Sequence, residues 1–234
     1  MKRPTVLAQR NYQKARAEMQ ARKGLKDKFA YIFETNLWGA EESQSGLGSS
    51  VDATGRVRGA LEQVCADYGV RTLLDLPCGD VSWIHHAKLP IREYLGADIV
   101  PEVIERNRLR QDLRQLPYST RFEGLDITQD QLPSWDLFLC RDCLVHLSFA
   151  NIRAALRNIA WSGARYLLTT TFPDHEVNED TEDGDWRLLN LERPPFSLSA
   201  PLAIFNEGCD EEAGAFADKS LGLWDAAQLR EFAD

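Results

Sequence analysis

Thr72-Leu-Leu-Asp-Leu-Pro-Cys-Gly-Asp80 is the stretch on which the reading of this chain turns. An apolar run, Thr72–Leu76, stops at a proline, a glycine and an acid, as a buried strand does where it meets a turn. Outward from it the same grammar repeats. Upstream, Val57, Leu61, Val64, Cys65 and Tyr68 recur at helical spacing. Downstream come a helical pattern around Val81–Ala87, a strand ending in Tyr94–Asp98 and a helix near Pro101–Leu113. A strand near Ser119–Glu123, a buried strand over Trp135–Cys140, a helix over Phe149–Trp161 and a strand over Tyr166–Thr171 complete the series. Strands alternating with helices of ten or more residues imply βαβ units, hence a mostly parallel sheet with helices on both faces. The expected class is α/β, a single doubly wound domain.

Beyond residue 172 the alternation ends. An acidic loop (Asp174–Asp185) and a proline-rich stretch (Arg193–Pro201) lead to two late strands, Leu202–Asn206 and Ser220–Trp224. At the other end, residues 5–23 read as a basic helix with a weak apolar stripe (Leu7, Tyr12, Ala15, Met19), either a solvated arm or a pairing element of a homo-oligomer. A Gly/Ser-rich loop spans Asn36–Ser50. The expected organisation is a basic arm over 1–30, a gating loop over 31–54, and the main domain over 55–234 with a lid loop at 174–185.

The 234 residues carry a net charge of −9, a pI near 5.0 and 44% hydrophobic residues, enough for one large core. The charge is uneven: nine basic and two acidic side chains in residues 1–28 give +7, leaving −16 for the rest. So acidic a body is a poor partner for nucleic acid or an anionic membrane. With no apolar run long enough to span a bilayer, the expected setting is cytoplasmic. Five scattered cysteines argue for a reducing compartment. The pair Cys140-Arg-Asp-Cys143 reads as half a zinc site, a redox pair, or two buried thiols; with no second C-x-x-C or paired histidine, buried thiols are the expectation.

In an open parallel sheet, ligands sit outside the carboxyl ends of the strands. The first such loop has one glycine rather than a G-x-G-x-x-G turn, and no Gly-Lys-Ser/Thr. It carries Asp75 and Asp80, which suit a ligand with ammonium or hydroxyl donors rather than a phosphate. The second strand ends in Asp98, 19 residues after Gly79, the spacing of an acid that accepts from a ribose diol. The third is followed by Asp126. Each acid alone can be a cap or turn residue; three at successive strand ends point to a site.

The runs LLDLPCGDVSWI, YLGADIVPEVI, FEGLDIT and WDLFLCRDCLVHLS together resemble the successive motifs of class I S-adenosylmethionine-dependent methyltransferases, over roughly residues 55–172. More loosely, NLWGAEESQSGLGSS and GDWRLLNLERPPFSLSAPL resemble a bacterial branch found with polysaccharide or secondary-metabolite genes. The resemblance implies a Rossmann-like, mostly parallel seven-stranded sheet and S-adenosyl-L-methionine as cofactor, with S-adenosylhomocysteine as product. It implies that Gly79, with Pro77 and Cys78, approaches the methionine moiety, and that Asp75 or Asp80 faces its ammonium. It places Asp98 at the ribose, Asp126 at the adenine amino group, Leu125 and Ile127 on the ring, and Ile99 and Arg141 among the cofactor contacts. Pro77-Cys78 departs from the small Gly-x pair usual before that glycine.

A hydroxyl acceptor must lose a proton, a task suited to histidine. Of His85, His86, His146 and His175, only His146 follows the fourth strand. Asp142 precedes it by four residues, so in a helix both share one face and the carboxylate can orient the imidazole. The same pair can instead merely hold the loop. With a carboxylate from 174–185 it can also bind a divalent metal such as Mg²⁺, a possible but not favoured cofactor. Trp38, Asn178, Asp185, Trp186 and Arg187 are the candidate acceptor contacts. The expected activity is O-methylation of a small molecule or glycan; the alternatives are N-methylation of an amine or amide, and a non-catalytic partner-binding module.

Overall fold

The computed structural model describes residues 6–38 and 43–232 of the chain. Seven strands form one sheet: β1 (Thr72–Asp75), β2 (Glu93–Asp98), β3 (Ser119–Gly124), β4 (Leu137–Cys140), β5 (Tyr166–Thr171), β6 (Ala203–Asn206) and β7 (Ser220–Asp225). Their order is β3-β2-β1-β4-β5-β7-β6. The first five strands run parallel, and β7 enters antiparallel between β5 and β6. This is the expected α/β, Rossmann-like architecture. The order reverses between β1 and β4, which opens a crevice at their carboxyl ends.

The central strands β1, β4 and β5 are apolar on both faces because both faces are covered, whereas the edge strands β3 and β6 are partly exposed. Leu74, Leu95, Phe138 and Leu167 pack with Ile152, Leu156 and Ile159 of α5 (Phe149–Ser162). Leu73, Tyr94, Leu137, Leu139 and Leu168 pack with Val57, Leu61 and Val64 of α3 (Gly55–Asp67). Ser148 caps α5 by accepting from the Asn151 N–H, and Gly163, at φ +74°, ends it in the left-handed region.

Three local expectations need correction. The segment 81–87 forms only a 3-10 turn over Ile84–His86. Val81, Trp83, Ile84 and Ala87 are all buried, and seven residues ahead of Pro90 are too few to offset helix nucleation. The helix expected over 101–113 stops at Leu109, as α4 (Pro101–Leu109), and a separate 3-10 turn follows at Asp112–Gln115. Finally, a helix the sequence reading passed over, α2 (Leu25–Thr35), follows the arm helix α1 (Val6–Gln20).

The arm is folded back on the body. Arg16 pairs with Asp185, and the Gln20 and Lys28 side chains donate to the Asp183 carbonyl. Met19 packs in a small core with Tyr31 and Ile32. Of the arm and gating-loop expectations, residues 1–5 and 39–42 lie outside the described residues. Among the described residues no helix is long and apolar enough to cross a membrane.

Candidate active site

Outside the carboxyl ends of β1 to β4 lies a cleft of about 1050 Å³, open to solvent on one side. Asp75, Pro77, Cys78, Gly79, Asp80, Asp98, Ile99, Asp126, Ile127 and Arg141 all line it, so one cavity gathers every candidate cofactor contact. Asp142, His146 and Trp38 line it too.

The acids are held by the backbone that delivers them. Asp98 ends β2; its Oδ2 accepts from the Gly79 N–H at 3.1 Å and its Oδ1 from the Val100 N–H at 2.9 Å. Each oxygen keeps lone-pair capacity, so the carboxylate can still accept two hydroxyls. Burial pushes its pKa up to about 6, against the pull of those amides. Asp75, at the end of β1, accepts from the Tyr94 hydroxyl at 2.8 Å, and burial pushes it up to about 7. The carboxylate of Asp126 accepts from the Thr128 N–H, the Thr128 hydroxyl and the Gln129 amide. Asp80 accepts from the Ser82 N–H and stays at the rim of the turn.

Gly79 is required by its surroundings. Its φ is +55°, and a Cβ there would sit 2.3 Å from Ser45 Oγ. Ser45 also accepts from the Asp80 N–H, and Ser82 donates to the Ser49 carbonyl, so the Gly/Ser-rich loop lies along the first turn.

The far end of the cleft is built differently from the expected helical Asp-His pair. Asp142 leaves β4 at φ +49°, in the left-handed region, and only a 3-10 turn over Leu144–His146 follows. Its N–H donates to Thr170 Oγ1, and its Oδ2 accepts from Lys219 Nζ at 2.7 Å. Burial alone would raise its pKa, but the Lys219 ammonium and the Arg141 guanidinium hold it well below the usual range. His146 is instead oriented by main chain: its Nδ1 lies 3.0 Å from the Asp185 carbonyl oxygen. A carbonyl only accepts, so Nδ1 carries the proton and Nε2 keeps its lone pair. Burial takes the imidazole down to about 4, so it is neutral at ordinary pH. The Trp38 ring stacks on it, centroids 4.7 Å apart.

Arg141 is buried in an ion pair with Glu207 at 2.7 Å and donates to the Gly48 carbonyl. The remaining candidates brace the site without bordering it. Asn178 bonds the Asn190, Arg193 and Pro194 carbonyls. Arg187 bonds those of Leu144 and Leu147, and Trp186 packs edge-on against Phe172 and Phe216. Asp185 acts through its carbonyl and its pairing with Arg16. These are loop-closing roles, in which polar side chains satisfy main-chain groups that no strand partners. His85 pairs loosely with Asp112, and the His175 carbonyl accepts from Asn190. Among the described residues no three His, Cys, Asp or Glu side chains gather as a metal-ligand group. Cys140 and Cys143 are free and buried.

Sequence reading missed one wall. Leu25, Phe29, Ile32 and Phe33 of α2 line the cleft, as do Trp83, Val100 and Val103. Their spacing of 0, 4, 7 and 8 along α2 is an apolar helical stripe that was readable, although the surface it covers was not.

The donor set fits the adenosyl cofactor: a paired carboxylate acceptor for a diol, buried acids for an ammonium, and apolar walls from Ile127, Leu125 and α2 for a ring. Residues 74–162 match a family model described as a methyltransferase domain. Among curated proteins none matches the chain. Among solved structures, two of the methyltransferase domain of a bacterial protein, CtHen1, share 14% identity with it. One covers 74% of this chain and 99% of that one with a TM-score of 0.54; the other covers 74% and 98% with 0.52. Magnesium protoporphyrin IX methyltransferase from Synechocystis PCC 6803, solved with bound S-adenosylmethionine, shares 17% identity, covering 68% and 82%, with a TM-score of 0.49. The chain thus shares its fold with the CtHen1 methyltransferase domain, and its residues 74–162 are similar to the methyltransferase-domain family.

Proposed function

We propose that this protein methylates a hydroxyl of a small molecule or glycan, with His146 as general base. One observation carries the reading. The Asp185 carbonyl fixes the imidazole as its Nδ1–H tautomer, which leaves a bare Nε2 on a residue that lines the cofactor cleft. When bound, S-adenosylmethionine supplies an electrophilic methyl group. Asp98, Asp126 and Asp75 would hold it, through the diol, the adenine edge and the ammonium respectively. What remains for the chain is alignment, exclusion of water and removal of one proton. Nε2 of His146 takes that proton from the acceptor hydroxyl, and nearby Asp142 stabilises the imidazolium through space. Trp38, stacked on the imidazole, offers a face for a sugar or ring. Free thiols throughout are compatible with a reducing, cytoplasmic setting.

The test is a screen of sugar nucleotides, glycans and small natural products with labelled cofactor, followed by His146→Ala on whichever is methylated. The rate should fall by about 10²–10⁴, the usual range for a lost general base, with S-adenosylhomocysteine affinity nearly unchanged. Near-normal turnover of His146→Ala on that acceptor would sink the assignment. Methyl found on nitrogen in the product would replace hydroxyl transfer with amine transfer.

A further inference from the structure

Asp185 stands between two distant parts of the molecule. Its carbonyl accepts from His146 Nδ1, while its carboxylate is gripped by both ends of one guanidinium. Arg16 Nε donates to Oδ1 at 2.7 Å and Nη2 donates to Oδ2, the two-bond fork that arginine forms and lysine cannot. Arg16 belongs to α1, 169 residues away in sequence. The neighbours of Asp185 are tied to the same turn: the Gly184 N–H donates to the His146 carbonyl and the Arg187 N–H to that of Val145. Gly184 sits at φ +94°, where a Cβ would lie 2.6 Å from Met19 Sδ of the arm. One face of the imidazole is covered by Trp38, which follows α2. The imidazole is therefore held at its Nδ1 edge by a carbonyl that the arm braces and on one face by Trp38.

We infer that Arg16 is a positioning residue for His146, and that the docked N-terminal arm is a working part of the acceptor site. The ion pair sets the orientation of the Asp185 peptide; that peptide sets the tautomer; the tautomer leaves Nε2 free to accept a proton. This rests on the reading of His146 as the base. The charged groups facing the imidazole are Asp142, Lys219 and Arg187, none of them from the arm. A change in tautomer on loss of Arg16 that Asp185→Asn reproduces therefore travels through Asp185.

The experiment reads the ring directly. Long-range proton–nitrogen spectra of ¹⁵N-labelled protein near pH 7 distinguish the two tautomers, and His146→Gln assigns the signals. In the intact protein His146 should be a single Nδ1–H tautomer. Arg16→Ala should mix in the Nε2–H form, Arg16→Lys should restore part of the signal, and Asp185→Asn, which keeps the carbonyl, should match Arg16→Ala. The double variant should be no worse than either single one, since both break one contact. With a methylated acceptor in hand, Arg16→Ala should lower kcat about tenfold, with little change in S-adenosylhomocysteine affinity. An unchanged tautomer spectrum in Arg16→Ala overturns the inference, as do additive effects in the double variant, which would mark plain destabilisation. Failure of the base reading looks different: His146→Ala turns over normally, while the tautomer still responds to Arg16.

Discussion

Asp98→Ala is the sharpest test of the cofactor half of the site, because its carboxylate has a countable set of partners. Two backbone N–H groups already occupy one acceptor position on each oxygen, at 3.1 and 2.9 Å, so the ligand-facing capacity is two bonds, one per hydroxyl of a diol. Hydrogen bonds to a charged group contribute about 1.5–3 kcal/mol each when a partner is removed. Against that, ionising a carboxylate held near pKa 6 costs little at pH 7.5. The expected loss is at least one full charged bond, about 1.5–3 kcal/mol, or roughly tenfold to 150-fold in S-adenosylhomocysteine affinity by calorimetry. Truncation also frees the Gly79 and Val100 amides, so affinity alone does not isolate the diol. The 2′-deoxy analogue of the ligand closes the cycle. The intact protein should bind it much more weakly than the parent compound, whereas Asp98→Ala should barely distinguish the two. If the variant discriminated between them as strongly as the intact protein does, the ribose assignment would be refuted, whatever the absolute affinities.

Four further outcomes are expected. Gly79→Ala forces an L side chain into φ +55° against Ser45, so urea unfolding should show a loss of about 1–3 kcal/mol and calorimetry a weaker ligand complex. Asp75 and Asp98 have folded pKa values raised to about 7 and about 6, so the native state binds more protons than the unfolded chain between roughly pH 4 and 7 and is destabilised as pH rises through that window. Ligand that needs the ionised acids should therefore bind more tightly as pH rises from about 5 to 7, with proton release measurable in buffers of different ionisation enthalpy. Because burial takes His146 down to about 4, kcat on the identified acceptor should show no His146 ionisation between about pH 5.5 and 8; a limb near 6.5 that vanished in His146→Gln would place the imidazole in water instead.

The parts of this molecule that were legible are those whose cause is local. Thr72–Asp75 reads as a strand because buried parallel strands need continuous apolar sequence, and the acids at 75, 98 and 126 read as a site because strand ends put them there. The Asp142–His146 spacing misled because it presupposes a helix, and one residue at positive φ cancels it. The true partner of His146 is a backbone carbonyl. Every residue carries one, so no side-chain pattern announces which will serve. Asn178 and Arg187 looked like ligand contacts for a related reason: a polar residue that closes a loop and one that binds a substrate are the same letter.

That division has a consequence for how the site holds together. The cofactor half hangs on the ends of four mutually paired strands, so it persists for as long as the sheet does. The loop that orients His146 depends on contacts between residues 155 to 169 apart: Lys28 and Gln20 to the Asp183 carbonyl, Arg16 to the Asp185 carboxylate. These join a basic arm to an acidic loop, and they are partly exposed, so they are individually weak and screened by salt. Among the described residues, α1 buries Met19 against Tyr31 and Ile32 of α2, while α2 packs Leu25 and Phe29 on the main core and Phe33 on Val100 and Val103. The contacts of α1 are fewer than those that hold the central strands together, so its release should cost less free energy than opening the sheet. Releasing α1 would remove the Arg16 grip on Asp185 while leaving Asp75, Asp98 and Asp126 on the strand ends. The acids are thus built into the sheet, while the Asp185 carbonyl that meets His146 is braced by contacts from the N-terminal arm.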